Sequence, residues 1–299
     1  MFEYKGNSLT GFKEIASVSK KGYSIKDVYF ESPFKGEVPA YLIVPDTACP
    51  HPAVIYLHPG HGSRDSFLKE AKLLASKGFM SLLINAPFNR KERTQEIPEK
   101  QKLVRTIEVL ADIEKYIQTI MDLRRGIDLL CELECVDENK IAYVGQSFGG
   151  TWGGVLAGIE HRIKTYNLIA GYPNASEWHL TSDHPMAELI RCFLTPERFE
   201  YFIANLKKLD AIHYVKNAAP ASIYFQCAKN DEYINHDQSS SYFLAASSPK
   251  KISWYDTDHL FTNCEEAFQD RLEWLCEHIG TEIATISKGS ARKQNNFTF

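Results

Sequence analysis

The chain has little of what would place it in a membrane, on a nucleic acid or in a disulfide-built scaffold. No stretch approaches the roughly 18 consecutive apolar residues that a bilayer-spanning helix requires. Net charge is only −4, from 34 basic and 38 acidic residues interspersed along 299 positions, so no basic patch stands ready for nucleic-acid phosphates or anionic lipid. The opening Met1-Phe2-Glu3-Tyr4-Lys5-Gly6 has no basic segment followed by an apolar one, and a cytoplasmic protein is expected. Cysteine occurs seven times, an odd count, at positions 49, 131, 135, 192, 227, 264 and 276. Cys131 and Cys135 lie one helical turn apart, but no second pair or nearby histidine completes a metal site. These spacings suit core filler in a reducing compartment better than a disulfide framework, and no metal or other cofactor is expected. Internal repeats and low-complexity tracts are missing too. The reading is therefore one domain over residues 1–288, with a flexible polar tail at 289–299.

What is present is alternation. Apolar residues make up 44% of the chain, enough for a sizeable core. They fall into strands alternating with helices, the pattern of an α/β fold with a mostly parallel sheet covered on both faces. Residues 23–30 and 37–44 alternate as an antiparallel pair about a turn at 33–36, and are expected to form the leading edge of the sheet. A strand at 53–57, an amphipathic helix at 65–77 closed by Gly78, and a strand at 80–84 read as one βαβ unit. A long helical region at 101–134 and a turn at Asp137 and Asn139 lead to the strand Ile141-Ala142-Tyr143-Val144. After a strand at 164–170 the pattern breaks. Residues 172–217 hold many aromatic residues and no strand, and an insertion of that length between strands usually lines or covers a site. Packing against the sheet without any such role is the plainer alternative. Strands at 222–227 and 252–255 follow, each succeeded by a helix, at 237–246 and 265–279.

The chemistry-bearing segment is Gly145-Gln146-Ser147-Phe148-Gly149. It follows a buried strand and precedes a small-residue helix, the setting in which a sharp turn exposes one serine. A serine hydroxyl is a weak nucleophile and needs a general base, which in turn needs an acid to orient it. Of ten histidines His259 is best placed, since it follows the last strand and precedes the closing helix. The acid is expected after the strand ending near Cys227, where Asp231 is preferred and Glu232 held in reserve. Asp256 and Asp258 lie too close to His259 in one loop to reach the ring nitrogen facing away from Ser147.

Acyl transfer also needs two backbone N–H groups aimed at the developing oxyanion. Phe148 is one expected donor. The other is expected in His58-Pro59-Gly60-His61-Gly62, where Pro59 has no N–H and Gly60 or His61 is left. The two histidines of this loop have no carboxylate or cysteine partner for a metal. His58 reads as a brace for the loop and His61 as facing substrate.

On the loop 56–62, the run Asp122–Leu130 leading to Val136-Asp137, the segment Gly145–Gly150, Asp231 and His259, the chain resembles the α/β-hydrolase superfamily over roughly residues 20–280. It resembles more closely the dienelactone-hydrolase-like and acetyl-xylan-esterase-like branches. The resemblance implies an α/β-hydrolase fold with a helical cap at 172–217, and a serine hydrolase that cleaves a small-molecule carboxylic ester through an acyl-enzyme. Two departures stand out. Pro59 replaces the first glycine of a common His-Gly-Gly, and Ser147 replaces the cysteine of dienelactone hydrolases proper, which favours ordinary esters. The alternatives are a peptidase or amide hydrolase of the same fold, or a non-catalytic binding protein that kept it. Partners in the form of nucleic acid or a membrane are not expected, and a homo-oligomer is allowed.

Overall fold

The computed structural model describes residues 1–4, 11–90 and 99–280. The tail expected at 289–299 lies outside the described residues. Nine strands form one sheet among them: β1 (Lys13–Lys20), β2 (Tyr23–Glu31), β3 (Glu37–Pro45), β4 (His51–Leu57), β5 (Met80–Ile84), β6 (Val136–Gln146), β7 (Ile163–Ile169), β8 (Ser222–Ala228) and β9 (Lys250–Tyr255). Their spatial order is β1-β2-β3-β5-β4-β6-β7-β8-β9. The pairs up to β3/β5 are antiparallel and the rest parallel. This is the α/β-hydrolase arrangement, with β6 near the middle of the sheet.

The parallel strands are buried because both faces are covered. Every residue of β4, β5 and β8 is buried, as continuous apolar runs in a parallel sheet must be. Period-two alternation splits β4 between two cores. Ile55 and Leu57 join the core under α3 (Ile113–Glu132) and α4 (Phe148–Ala157), while Val54 and Tyr56 join the one under α1 (Leu68–Ala75) and α9 (Glu265–Ile279). The other helices are α2 (Glu99–Leu110), α5 (Ala175–Thr181), α6 (Pro185–Phe193), α7 (Pro196–Leu206) and α8 (His236–Ala245).

The structure differs from expectation in four places. The leading edge is β1, not the 23–44 pair. All eight residues of β1 are exposed, so the sequence has no apolar alternation there to betray a strand. The helical region at 101–134 breaks at Ala111 and Asp112, where the Asp112 carboxylate caps α3 by accepting the Glu114 N–H at 2.9 Å. The turn residues Asp137 and Asn139 fall within β6, at a register shift where the ladder against β4 jumps from Val136 to Ile141. Their turn chemistry survives as a bulge, with Asp137 accepting the Asn139 N–H.

The fourth difference is a disulfide between Cys49 and Cys135, 86 residues apart. These cysteines precede β4 and β6, neighbours in the sheet, so their strands start side by side. Local spacing carries no trace of that adjacency. The bond corrects the reading for Cys49 and Cys135, which are neither filler nor free thiols. No helix of the described residues is long and apolar enough to cross a membrane.

Candidate active site

Four loops meet at the carboxyl ends of the central strands. The first is the turn from β6 into α4. Ser147 sits there at φ 53°, ψ −109°, a left-handed conformation that costs a non-glycine residue of order 1–3 kcal/mol and persists only where its surroundings enforce it. The enforcement is visible. Ser147 N–H donates to Ile169 O at 2.7 Å, fixing the turn to β7. A Cβ on Gly149 would lie 2.1 Å from Leu57 O, and one on Gly145 would lie 2.4 Å from Gly149 O. Neither position tolerates a side chain, because strand, turn and helix meet backbone to backbone.

The second and third loops follow β8 and β9. Ser147 Oγ and His259 Nε2 are 2.8 Å apart, and His259 Nδ1 lies 2.9 Å from Asp231 Oδ2 and 3.0 Å from Oδ1. The ionised carboxylate only accepts, so Nδ1 carries the ring proton and Nε2 presents its lone pair to the serine hydroxyl. Asp231 is itself held, since Oδ1 accepts the N–H groups of Tyr233 and Ile234, each at 2.9 Å. The two loops are tied by Lys229 N–H to Tyr255 O and Asn230 N–H to Thr257 O. The other carboxylates nearby are engaged elsewhere: Asp256 accepts from Asn230, Asp258 from the Thr262 N–H, and Glu232 from the His259 backbone N–H at 3.3 Å.

The fourth loop follows β4. His58 donates from Nδ1 to Pro59 O at 2.7 Å and accepts the Ala86 N–H on Nε2 at 3.0 Å. Burial holds its pKa below the usual value, which favours the neutral ring these bonds require. His58 thus braces the loop against β5, as its position suggests. Pro59 O accepts the Gly62 N–H at 2.8 Å, closing a tight turn. Asn89, in a 3-10 turn at Pro87–Asn89, donates from Nδ2 to Gly62 O at 2.7 Å and to Gly60 O at 3.3 Å. The Gly60 carbonyl and the His61 N–H belong to one trans peptide unit, so drawing the carbonyl toward Asn89 turns the N–H the other way. Among the described residues the N–H groups of Gly60 and His61 meet no acceptor. The Phe148 N–H, at the first position of α4, has no carbonyl a turn behind it. A Cβ on Gly60 would come within 4.0 Å of Phe148 Cβ, which puts this loop beside the serine turn.

These loops floor a cavity of about 480 Å³. Phe88, Leu110, Tyr116, Tyr172, Trp178 and Met186 contribute apolar surface to it, and His61, His179, His184 and Glu232 contribute polar groups. Burial pushes the pKa of His179 down to about 4, and its Nδ1 donates to Ala175 O at 2.8 Å. His184 caps α6 by accepting the Met186 N–H on Nδ1 at 3.1 Å, which leaves the proton of the neutral ring on Nε2. Burial, with His61 and His259 nearby, lowers its pKa. Sequence reasoning missed Asn89, His179 and His184. Only His184 carried a local signal, a polar residue before a helix-starting proline. No three His, Cys, Asp or Glu side chains among the described residues gather as a cation site.

The profile of the acetyl xylan esterase (AXE1) family matches residues 12–278. Among solved structures, the acetyl xylan esterase from Paenibacillus sp. R4 superposes with a TM-score of 0.73 at 20% identity, over 91% of this chain and 90% of that one. Acetyl xylan esterase 1 from Thermoanaerobacterium sp. JW/SL YS485 gives 0.72 at 18% identity, over 89% and 86%. At such identities the likeness is one of fold. A 2,6-dihydropseudooxynicotine hydrolase from Paenarthrobacter nicotinovorans is 24% identical over 143 residues, 48% of this chain and 34% of that protein.

Proposed function

The chain belongs to the acetyl xylan esterase family, and from that premise we propose that it is a serine ester hydrolase acting through an acyl-enzyme. Ser147 Oγ attacks the ester carbonyl carbon while His259 Nε2 takes its proton. Asp231 holds the imidazole in the tautomer that can accept, and balances the imidazolium that forms. Negative charge gathers on the former carbonyl oxygen, facing the N–H of Phe148 and that of His61 or Gly60. The intermediate then collapses. The alcohol leaves with the proton from His259, and water, deprotonated by the same ring, releases the acid and restores the serine.

The observation that carries this reading is the Ser147–His259–Asp231 relay, at 2.8 and 2.9 Å, built on a serine in the left-handed region. A non-catalytic fold-mate would have no reason to keep that backbone cost. The single-domain reading is part of the proposal, with 172–217 as a cap: Tyr172, Trp178, His179, His184 and Met186 come from it and face the cavity. The test is Ser147→Ala, which should abolish both p-nitrophenyl acetate turnover and labelling by a fluorophosphonate. Near-normal turnover in the purified variant would sink the mechanism. Running an anilide beside the ester separates the esterase from the amide-hydrolase alternative.

A further inference from the structure

The cavity over Ser147 has two unlike walls, one running on from His259 and the other from Phe148. One continues from His259, whose ring meets Tyr233 at 5.2 Å; Tyr233 meets His184 at 4.6 Å, and His184 meets His61 at 5.5 Å. Glu232, bonded to the His259 N–H, adjoins it. The other continues from Phe148, whose ring meets Phe88 at 5.6 Å; Phe88 meets Tyr116 at 4.9 Å, and Tyr116 reaches Leu110. The first wall carries imidazole nitrogens, a phenol and a carboxylate. The second is hydrocarbon, for its one hydroxyl, on Tyr116, is spent on Leu110 O at 2.7 Å.

Reaction chemistry assigns the halves of an ester to these walls. When the tetrahedral intermediate collapses, the bond from carbonyl carbon to alcohol oxygen breaks, and that oxygen takes the proton His259 received from Ser147. The alcohol must therefore lie against His259 and the wall continuous with it. The acyl chain stays bonded to Ser147 Oγ and has the wall beyond Phe148. No lysine or arginine lines the cavity among the described residues, so an acyl carboxylate would find no counter-charge among them. An acetyl group has a single methyl to lay against three rings and a leucine.

We propose, resting on the serine-esterase reading above, that Phe88, Leu110, Tyr116 and Phe148 form an acyl subsite for uncharged groups larger than acetyl, from butyryl to benzoyl. Removing a methylene from water onto such a wall favours the bound state about fourfold. With the alcohol held constant, kcat/KM for p-nitrophenyl butyrate should exceed that for the acetate by about fifteenfold, from two such methylenes. The half-ester of succinic acid, close in length to the butyrate but anionic, should fall below it. Phe88→Trp should lower the butyrate-to-acetate ratio about tenfold by filling the subsite. If Ser147-dependent turnover is present and the acetate equals or outruns the butyrate, the subsite assignment is overturned while the esterase reading stands. Absence of Ser147-dependent turnover on every ester would instead break the reading beneath it. The profile of the unmodified enzyme decides the matter even if the tryptophan variant does not fold.

Discussion

Asp231→Asn isolates one link of the relay. In the native protein Oδ1 accepts two backbone N–H groups and Oδ2 faces His259 Nδ1 at 2.9 Å. An asparagine must keep its carbonyl oxygen on those two donors, so its NH₂ occupies the Oδ2 position. An N–H aimed at Nδ1 demands that Nδ1 be unprotonated. The ring proton moves to Nε2, which then donates toward Ser147 Oγ across 2.8 Å instead of accepting from it. The base is lost with geometry almost unchanged. A tautomer reversal of this kind costs about 10⁴ in kcat, or about 5 kcal/mol at 1.36 kcal/mol per decade. Folding should lose only about 1 kcal/mol, because both backbone donors stay satisfied. Asp231→Ala, by contrast, strips the acceptor from two N–H groups at about 1–3 kcal/mol each. The assay is kcat on p-nitrophenyl acetate beside urea denaturation for both variants. An asparagine variant retaining more than a tenth of native kcat would refute the role given to Asp231, and Glu232→Gln would be the next variant to measure.

Asn89→Ala should lower kcat by about ten- to a hundredfold, short of the loss of a whole oxyanion donor, and leave KM within about twofold. A loss carried by KM would mean that Asn89 contacts substrate and does not set the peptide at Gly60. His179 makes stability depend on pH. Its folded pKa is pushed down to about 4, so between about pH 6.5 and 4 the unfolded chain takes up the proton first. Its contribution is complete above that window and declines within it as pH falls, by on the order of 3 kcal/mol. His179→Phe should flatten this part of the urea-denaturation profile, and an unchanged slope would refute the assignment.

The serine turn, the strands β4 to β9 and the proximity of Ser147, His259 and Asp231 were legible because each rests on local sequence plus a topological rule. Buried parallel strands read as continuous apolar runs, and their carboxyl ends gather whatever follows them. The features that escaped depend on neighbours distant in the chain. β1 is exposed throughout and is a strand only by pairing with β2. Cys49 meets Cys135 only because β4 lies next to β6. Asn89 bonds to Gly60 and Gly62 only because β5 flanks β4 on its other side. The aromatic residues of 172–217 announced an apolar environment, yet which of them line the cavity and which fill the core depends on how α5 and α6 lie over it.

The contact of Gly149 with Leu57 O has a consequence for how such a protein diversifies. Main chain rests on main chain there, so the approach of the serine turn to the end of β4 is not set by the side chains that line the cavity. Under the proposed function, Phe88, Leu110 and Met186 can be exchanged one at a time, and substrate preference can drift, while the Ser147 turn and the loop after β4 stay where they are. The meeting of the two loops is held by the backbone, and the side chains of the cavity walls are the part free to wander.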